Sequence, residues 1–188
     1  TLHCLDLGAM ASDDIILSKK ELKYFFDKKH LTLRVEEKVD GGNVGISLIP
    51  SSRDEIGTKP VFRFQKRAHY ISSASEPQYR GLEMWASQNA RALRTLLRMP
   101  LSHFVRGASD RPALFGQRIL FGEWLFAKHS KSYAFLPDLF LVFDVFDITL
   151  NHGQGGFVSA HVRDEMLRYV CVCVYESLSF RELYYYLS

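Results

Sequence analysis

The sequence predicts an α+β fold built mainly on antiparallel strands, and three observations carry that expectation. Several short segments alternate apolar and polar residues, as half-buried strands do. Two longer segments carry apolar residues at helical spacing. Strands come in runs with helices between them, without the regular strand–helix–strand alternation of a parallel sheet.

In chain order, residues 12–30 start a helix, with Ser12 as cap and Asp13 and Asp14 in the first turn. Leu31, Leu33 and Val35 alternate through a strand that runs to Val39. Asp40-Gly41-Gly42-Asn43 then forms a tight hairpin turn, since Gly tolerates positive φ and Asp and Asn favour turns. Residues 44–49 are the return strand, stopped by Pro50, and 51–60 are a polar loop. Residues 61–67 alternate again as a third strand, and 72–78 form a second loop. From 79 to 99 Leu82, Trp85, Ala86, Ala90, Leu93, Leu96 and Leu97 recur at helical spacing until Pro100 ends the helix. Residues 106–117 are a loop, 118–126 a strand, and 139–147 a strand apolar enough to be buried on both faces. A Gly-rich loop over 151–156 precedes a helix over 159–169 with Ser159 as its cap.

The chain has 188 residues, 47% of them hydrophobic, enough for one domain with a sizeable core. A charged fraction of 24% argues against wholesale disorder. The net charge of +3 does not by itself demand nucleic acid as a partner. Arg91, Arg94, Arg98, Arg106 and Arg111 accordingly read first as solvated surface. The three cysteines provide no second pair for a zinc site, and Cys171 and Cys173 alternate with valines as small hydrophobes. No apolar run is long enough to span a membrane, and the first eleven residues lack the basic flank of a signal peptide.

The sharpest chemical signal is Glu37-Lys38-Val39-Asp40-Gly41-Gly42-Asn43. A lysine at a strand end, followed by an acid and glycines, presents an amine beside a carboxylate and a backbone that a phosphate can approach. A lysine amine is nucleophilic only when deprotonated, and its free pKa is roughly 10.4. Asp40 alone would raise that value. A divalent cation on Asp40 or on the phosphates reverses the effect. The pattern therefore makes chemical sense with Mg2+ (or Mn2+) and a nucleoside triphosphate. Taken singly, each part also has an ordinary reading. The Asp-Gly is a hairpin, Asn43 a turn residue, Arg67 and Glu123 solvated strand residues, and Phe143 core.

The parts stand in a fixed order. After the lysine segment come Gln65-Lys66-Arg67, then Phe121-Gly122-Glu123-Trp124, then Phe140, Leu141, Val142, Phe143, Asp144 and Val145. Between and after them lie Ala127-Lys128-His129-Ser130, the stretch from Tyr133 to Pro137, Phe157-Val158-Ser159 and Val162-Arg163. Over residues 33–168 this set resembles the ATP-dependent RNA ligase family, in its RNA ligase 2-like branch of the covalent nucleotidyltransferases. The resemblance implies that Lys38 attacks the α-phosphate of ATP and carries AMP. It gives Glu37 to the adenine, Arg67 to the ribose and phosphate, Glu123 to a ribose hydroxyl and Phe143 to stacking on the adenine. Asp40, Gly41 and Asn43 complete the nucleotide site, and Asn43 favours the RNA ligase branch over DNA ligases and capping enzymes, which more often carry Arg there. Asp40 and Glu123 are the candidate metal ligands.

The resemblance further implies a nucleotidyltransferase (ligase/capping-enzyme adenylation) domain of antiparallel sheets flanked by helices, with ATP in a groove between sheets. The partners it implies are RNA 5′-phosphate and 3′-hydroxyl ends, a nicked duplex among them, and the lack of a signal-peptide pattern together with the ATP requirement sets the expected location as intracellular, in the cytoplasm. It departs from the family after residue 144, where neither the later acid-Gly strand nor a Lys-x-Lys strand is found. Residues 1–188 are thus expected to form a single domain, incomplete on its C-terminal side. Three alternatives stand beside the ligase reading: a nucleotide-binding, ligation-incompetent fragment or degenerate homologue, a capping-type guanylyltransferase, and a non-catalytic interaction domain.

Overall fold

Contacts along the chain group it into two units, Thr1–Glu37 with Glu176–Ser188, and Lys38–Tyr175. The structure, a computed structural model, describes residues 3–4, 15–16, 18–26, 35–36, 39–50, 60–66, 69–71, 76–127, 133, 136–170 and 177–178. In the first unit β1 (His3–Cys4) pairs in parallel with β2 (Ile15–Ile16). The helix α1 (Lys19–Phe26) follows. The Glu21 N–H donates to Ser18 Oγ at 3.3 Å, and the Ser18 N–H donates to the Glu21 carboxylate at 2.8 Å. This capping box satisfies amides that the first turn would leave open. The helix expected from Ser12 therefore starts later. Ile15 and Ile16 are strand, and Ser12 lies outside the described residues. The strand β3 (Val35–Glu36) pairs antiparallel with the last of the described strands, Ser177–Leu178.

The second unit carries the main sheet: β4 (Gly42–Ile49), β5 (Val61–Gln65), β6 (Tyr70–Ile71), β7 (Arg118–Trp124), β8 (Phe140–Asp147) and β9 (Gly156–Phe157). All six pair antiparallel, in the order β6-β5-β4-β7-β8-β9. Burial along β7 alternates strictly. Arg118, Leu120, Gly122 and Trp124 are buried, while Ile119, Phe121 and Glu123 are partly exposed. The buried row continues across the ladder as Val44 and Ile46 on β4 and as Val142 and Val145 on β8.

Helices cover that row. They are α2 (Leu82–Gln88), α3 (Ala90–Arg98) and α5 (Ala160–Val170), with the four-residue turn α4 (Leu150–Gly153) before the last. Leu82, Trp85, Leu93, Leu96, Leu97, Met166 and Leu167 pack with the sheet residues in one core. The Val162 N–H donates to Ser159 Oγ at 3.3 Å, so Ser159 opens α5 as the sequence led us to expect.

The single helix expected over 79–99 is two. Asn89 breaks it, at φ −94° and ψ 13°, and its side-chain amide donates to the Trp85 carbonyl at 3.0 Å. A short polar side chain competing for a helix carbonyl is a local cause that apolar spacing does not reveal. Arg118 ties the sheet to the end of α3. Its guanidinium bonds Asp147 at 2.8 Å and the carbonyls of Leu96 and Met99 at 2.7 and 2.8 Å. Those carbonyls would otherwise be left open by the helix end. Burial pulls the Arg118 pKa down, and Asp147 opposes that pull.

Candidate nucleotide-binding site

The expected hairpin at Asp40-Gly41-Gly42-Asn43 is not formed. Gly42 and Asn43 already belong to β4, whose ladder partners are β5 and β7, and β3 pairs instead with Ser177–Leu178. Among the described residues the left-handed glycines are Gly81, Gly107, Gly116, Gly153 and Gly155, and Gly41 and Gly42 are not among them. These two are glycines for room. A Cβ on Gly41 would lie 2.7 Å from both Leu125 Cδ2 and the Trp124 carbonyl oxygen. One on Gly42 would lie 2.9 Å from the Tyr79 ring. The segment after the lysine is thus pressed between the end of β7 and a buried tyrosine.

Across the β4–β7 ladder Asn43 stands directly opposite Glu123. Both lie on the sheet face opposite the helices, because their neighbours Gly42, Val44, Gly122 and Trp124 take the core side. Glu123 in turn stands opposite Leu141 on β8. One step further the register slips. Phe121 pairs with Asp144 but Gly122 pairs with Val142, leaving Phe143 as the extra residue of a β-bulge. A bulge re-aims a side chain, and here Phe143 packs beside Leu141, on the Glu123 face. Gly122 makes the bulge possible. A Cβ there would lie 2.5 Å from the Leu141 carbonyl oxygen and 2.6 Å from the Phe140 ring. From α5, Arg163 donates through Nη1 to the Phe143 carbonyl and pairs with Asp164 at 2.8 Å.

Val39, Leu125 and Leu141 form a small second core, with Tyr133, Leu136 and Phe143 packed against it. The Asp40 N–H donates to the Tyr133 hydroxyl at 2.8 Å. The residue after Lys38 and the backbone of Asp40 are therefore anchored to the group that holds Phe143. On the other flank Lys66 Nζ pairs with the Glu76 carboxylate at 2.6 Å. The hydrogen bond to Glu76 raises the Lys66 pKa. Burial raises that of Tyr79, with Lys66 opposing and the charges of Glu76 and Glu123 reinforcing. At neutral pH this corner holds a neutral phenol beside a charged pair.

Of the residues singled out in the sequence, Asn43, Glu123 and Phe143 come together on one face, and Asp40 and Gly41 sit on the segment leading into it. Glu37, Lys38 and Arg67 lie outside the described residues. Among the described residues no three His, Cys, Asp or Glu side chains converge. The two candidate carboxylates, Asp40 and Glu123, suit a hard divalent cation, which takes one or two carboxylates and completes its shell with phosphate oxygens and water. Sequence reasoning missed Tyr79, Tyr133 and the Lys66–Glu76 pair. Lys66 and Tyr133 do lie in stretches that carry the family likeness, but no spacing rule marks their contacts. Among the described residues no helix is long and apolar enough to cross a membrane.

A family model described as RNA ligase matches residues 31–184. No curated protein matches the chain.

Proposed function

We propose, for a chain that belongs to the RNA ligase family, that it is an ATP-dependent ligase whose Lys38 takes AMP covalently. The observation that carries this reading is the joining of Asn43, Glu123 and the bulged Phe143 on one sheet face, next to the segment that follows Lys38. A ring set out by a bulge beside a carboxylate suits a nucleoside: the ring stacks on the base, and the carboxylate accepts from a ribose hydroxyl. Glu37 and Arg67 take the adenine edge and the ribose and phosphate in the same reading.

Three steps follow. Lys38 Nζ, deprotonated, attacks the α-phosphorus of ATP. An N–P bond forms, the P–O bond to the β-phosphate breaks, and pyrophosphate leaves. AMP next passes to an RNA 5′-phosphate, whose oxygen replaces the lysine nitrogen on phosphorus. Finally a 3′-hydroxyl oxygen attacks the 5′-phosphorus, the phosphodiester P–O bond forms as the P–O bond to AMP breaks, the hydroxyl proton passes to solvent, and AMP leaves. Mg2+ (or Mn2+), when bound, neutralises phosphate charge, and Asp40 and Glu123 would hold it. What the protein supplies is chiefly positioning and charge.

Intact mass spectrometry after incubation with ATP and Mg2+ tests the first step. The parent should gain the mass of one AMP, and a Lys38→Ala variant should gain none. A folded parent that gains nothing removes the ligase mechanism. If ATP still raises its melting temperature, a nucleotide-binding, ligation-incompetent protein takes its place.

A further inference from the structure

The geometry points to Tyr133 as a positioning residue for the Lys38 nucleophile. The inference rests on the ligase reading and deepens it. Tyr133 is 93 residues away from Asp40 in sequence, yet its hydroxyl accepts the Asp40 N–H at 2.8 Å. Its ring packs on the cluster of Val39, Leu125 and Leu141 that also seats Phe143. One side chain therefore meets the lysine segment through a hydrogen bond and, through packing, the apolar cluster on which Phe143 also rests.

The bond answers a local need. Regular pairing of β4 begins only at Gly42. The Asp40 amide thus lies before the described ladder of β4. Asp40 is partly buried, so an unsatisfied amide there would carry a desolvation cost. The phenol gives that amide an acceptor, and it does so two positions after the nucleophile. In-line attack on phosphorus depends steeply on where the amine stands, and a displacement of about 1 Å can cost about 100-fold in rate. Tyr133 does not take part in the chemistry. It fixes the backbone of Asp40, two residues past Lys38 in sequence, against the cluster that also holds the ring proposed to stack on the base.

Tyr133→Phe separates the two contacts, since the ring stays in its cluster and only the hydrogen bond is lost. Single-turnover AMP transfer to Lys38 should be measured across ATP concentrations for parent, Tyr133→Phe and Lys38→Ala, with melting temperatures alongside. The expected result is a fall of about 10-fold or more in the saturating rate, with the ATP concentration at half-saturation within about 2-fold of the parent. The melting temperature should stay within a few degrees, as for loss of one partly buried hydrogen bond. Faster hydrogen exchange at the Asp40 amide should accompany the slower rate. An unchanged rate in Tyr133→Phe, with the parent labelling normally, overturns the positioning role and leaves the ligase reading intact. A weaker half-saturation with an unchanged saturating rate also overturns it, because the residue would then serve nucleotide binding alone. A parent that takes no AMP overturns both.

Discussion

At the scale of single residues, the glycines of the site show how a motif can be legible while its cause is not. Gly122 and Glu123 stand out in the sequence as a Gly-Glu pair, but nothing in the sequence says why the first must be glycine. The structure gives the reason as a collision. Leu141 backbone and the Phe140 ring occupy the space a side chain would take, at 2.5 and 2.6 Å from the Cβ position. The ring can turn, whereas the carbonyl belongs to the bulged strand and cannot move without disturbing the ladder. Gly122→Ala should therefore destabilise the protein by about 3 kcal/mol, the upper end for overpacking. Equilibrium urea unfolding measures it, and a loss under about 1 kcal/mol would show that the strand yields. The same logic corrects Gly41 and Gly42, which the sequence suggested as turn residues with positive φ. They are small because Trp124, Leu125 and Tyr79 press on them.

Strands and helices were legible where one face is buried. Burial alternates residue by residue along β7, whereas β4 is buried at every position from Val44 to Leu48 and was legible only as an apolar run ended by Pro50, and Ser159 marks the start of α5. What the pattern lacked was pairing. Nothing local says that Val35–Glu36 pairs with Ser177–Leu178, or that Gly42 begins a strand flanked by β5 and β7. Nor does it reveal the bulge in β8, whose support comes from another element. Arg163 and Asp164 are charged residues buried in α5, at 3% and 4% exposure, which an amphipathic reading would set on the surface. Arg163 supplies a donor to the Phe143 carbonyl that the bulge takes out of register. Arg163→Met keeps much of the length but takes one donor from the Phe143 carbonyl and the guanidinium from Asp164. The expected cost is about 3 kcal/mol, the low end for breaking a buried ion pair. On the proposed ligase reading its specific mark would be a smaller rise in melting temperature on adding ATP than the parent shows, because Phe143, the ring proposed to stack on the base, loses a support. An undiminished ATP-dependent rise would assign Arg163 to stability alone.

For the molecule as a whole, the fold class and the order of the motifs were within reach of the sequence, because both are one-dimensional patterns. The charges that stabilise the fold were not, because they depend on which side chains meet. Lys66, Glu76 and Tyr79 show this, and they give global stability a direction with pH. The pKa of Lys66 is raised by its hydrogen bond to Glu76, and that of Tyr79 by burial. In both cases the folded state holds the proton more firmly than the unfolded chain does. Stability then falls with rising pH wherever the folded state binds more protons. The contribution is complete below the ordinary tyrosine value of 10.0 and the ordinary lysine value of 10.5, and it is lost as pH rises through the higher folded values. Tyr79→Phe removes one of the two titrating groups and keeps the ring that packs on Gly42. Its melting temperature, followed by circular dichroism from pH 8 to about pH 11, should fall less steeply on the alkaline side than the parent's. The remaining slope belongs to Lys66 and other groups that lose charge there. Parallel curves for parent and variant would mean that the buried phenol ionises as readily in the fold as in the open chain, and the protonated corner beside Gly42 would have to be given up.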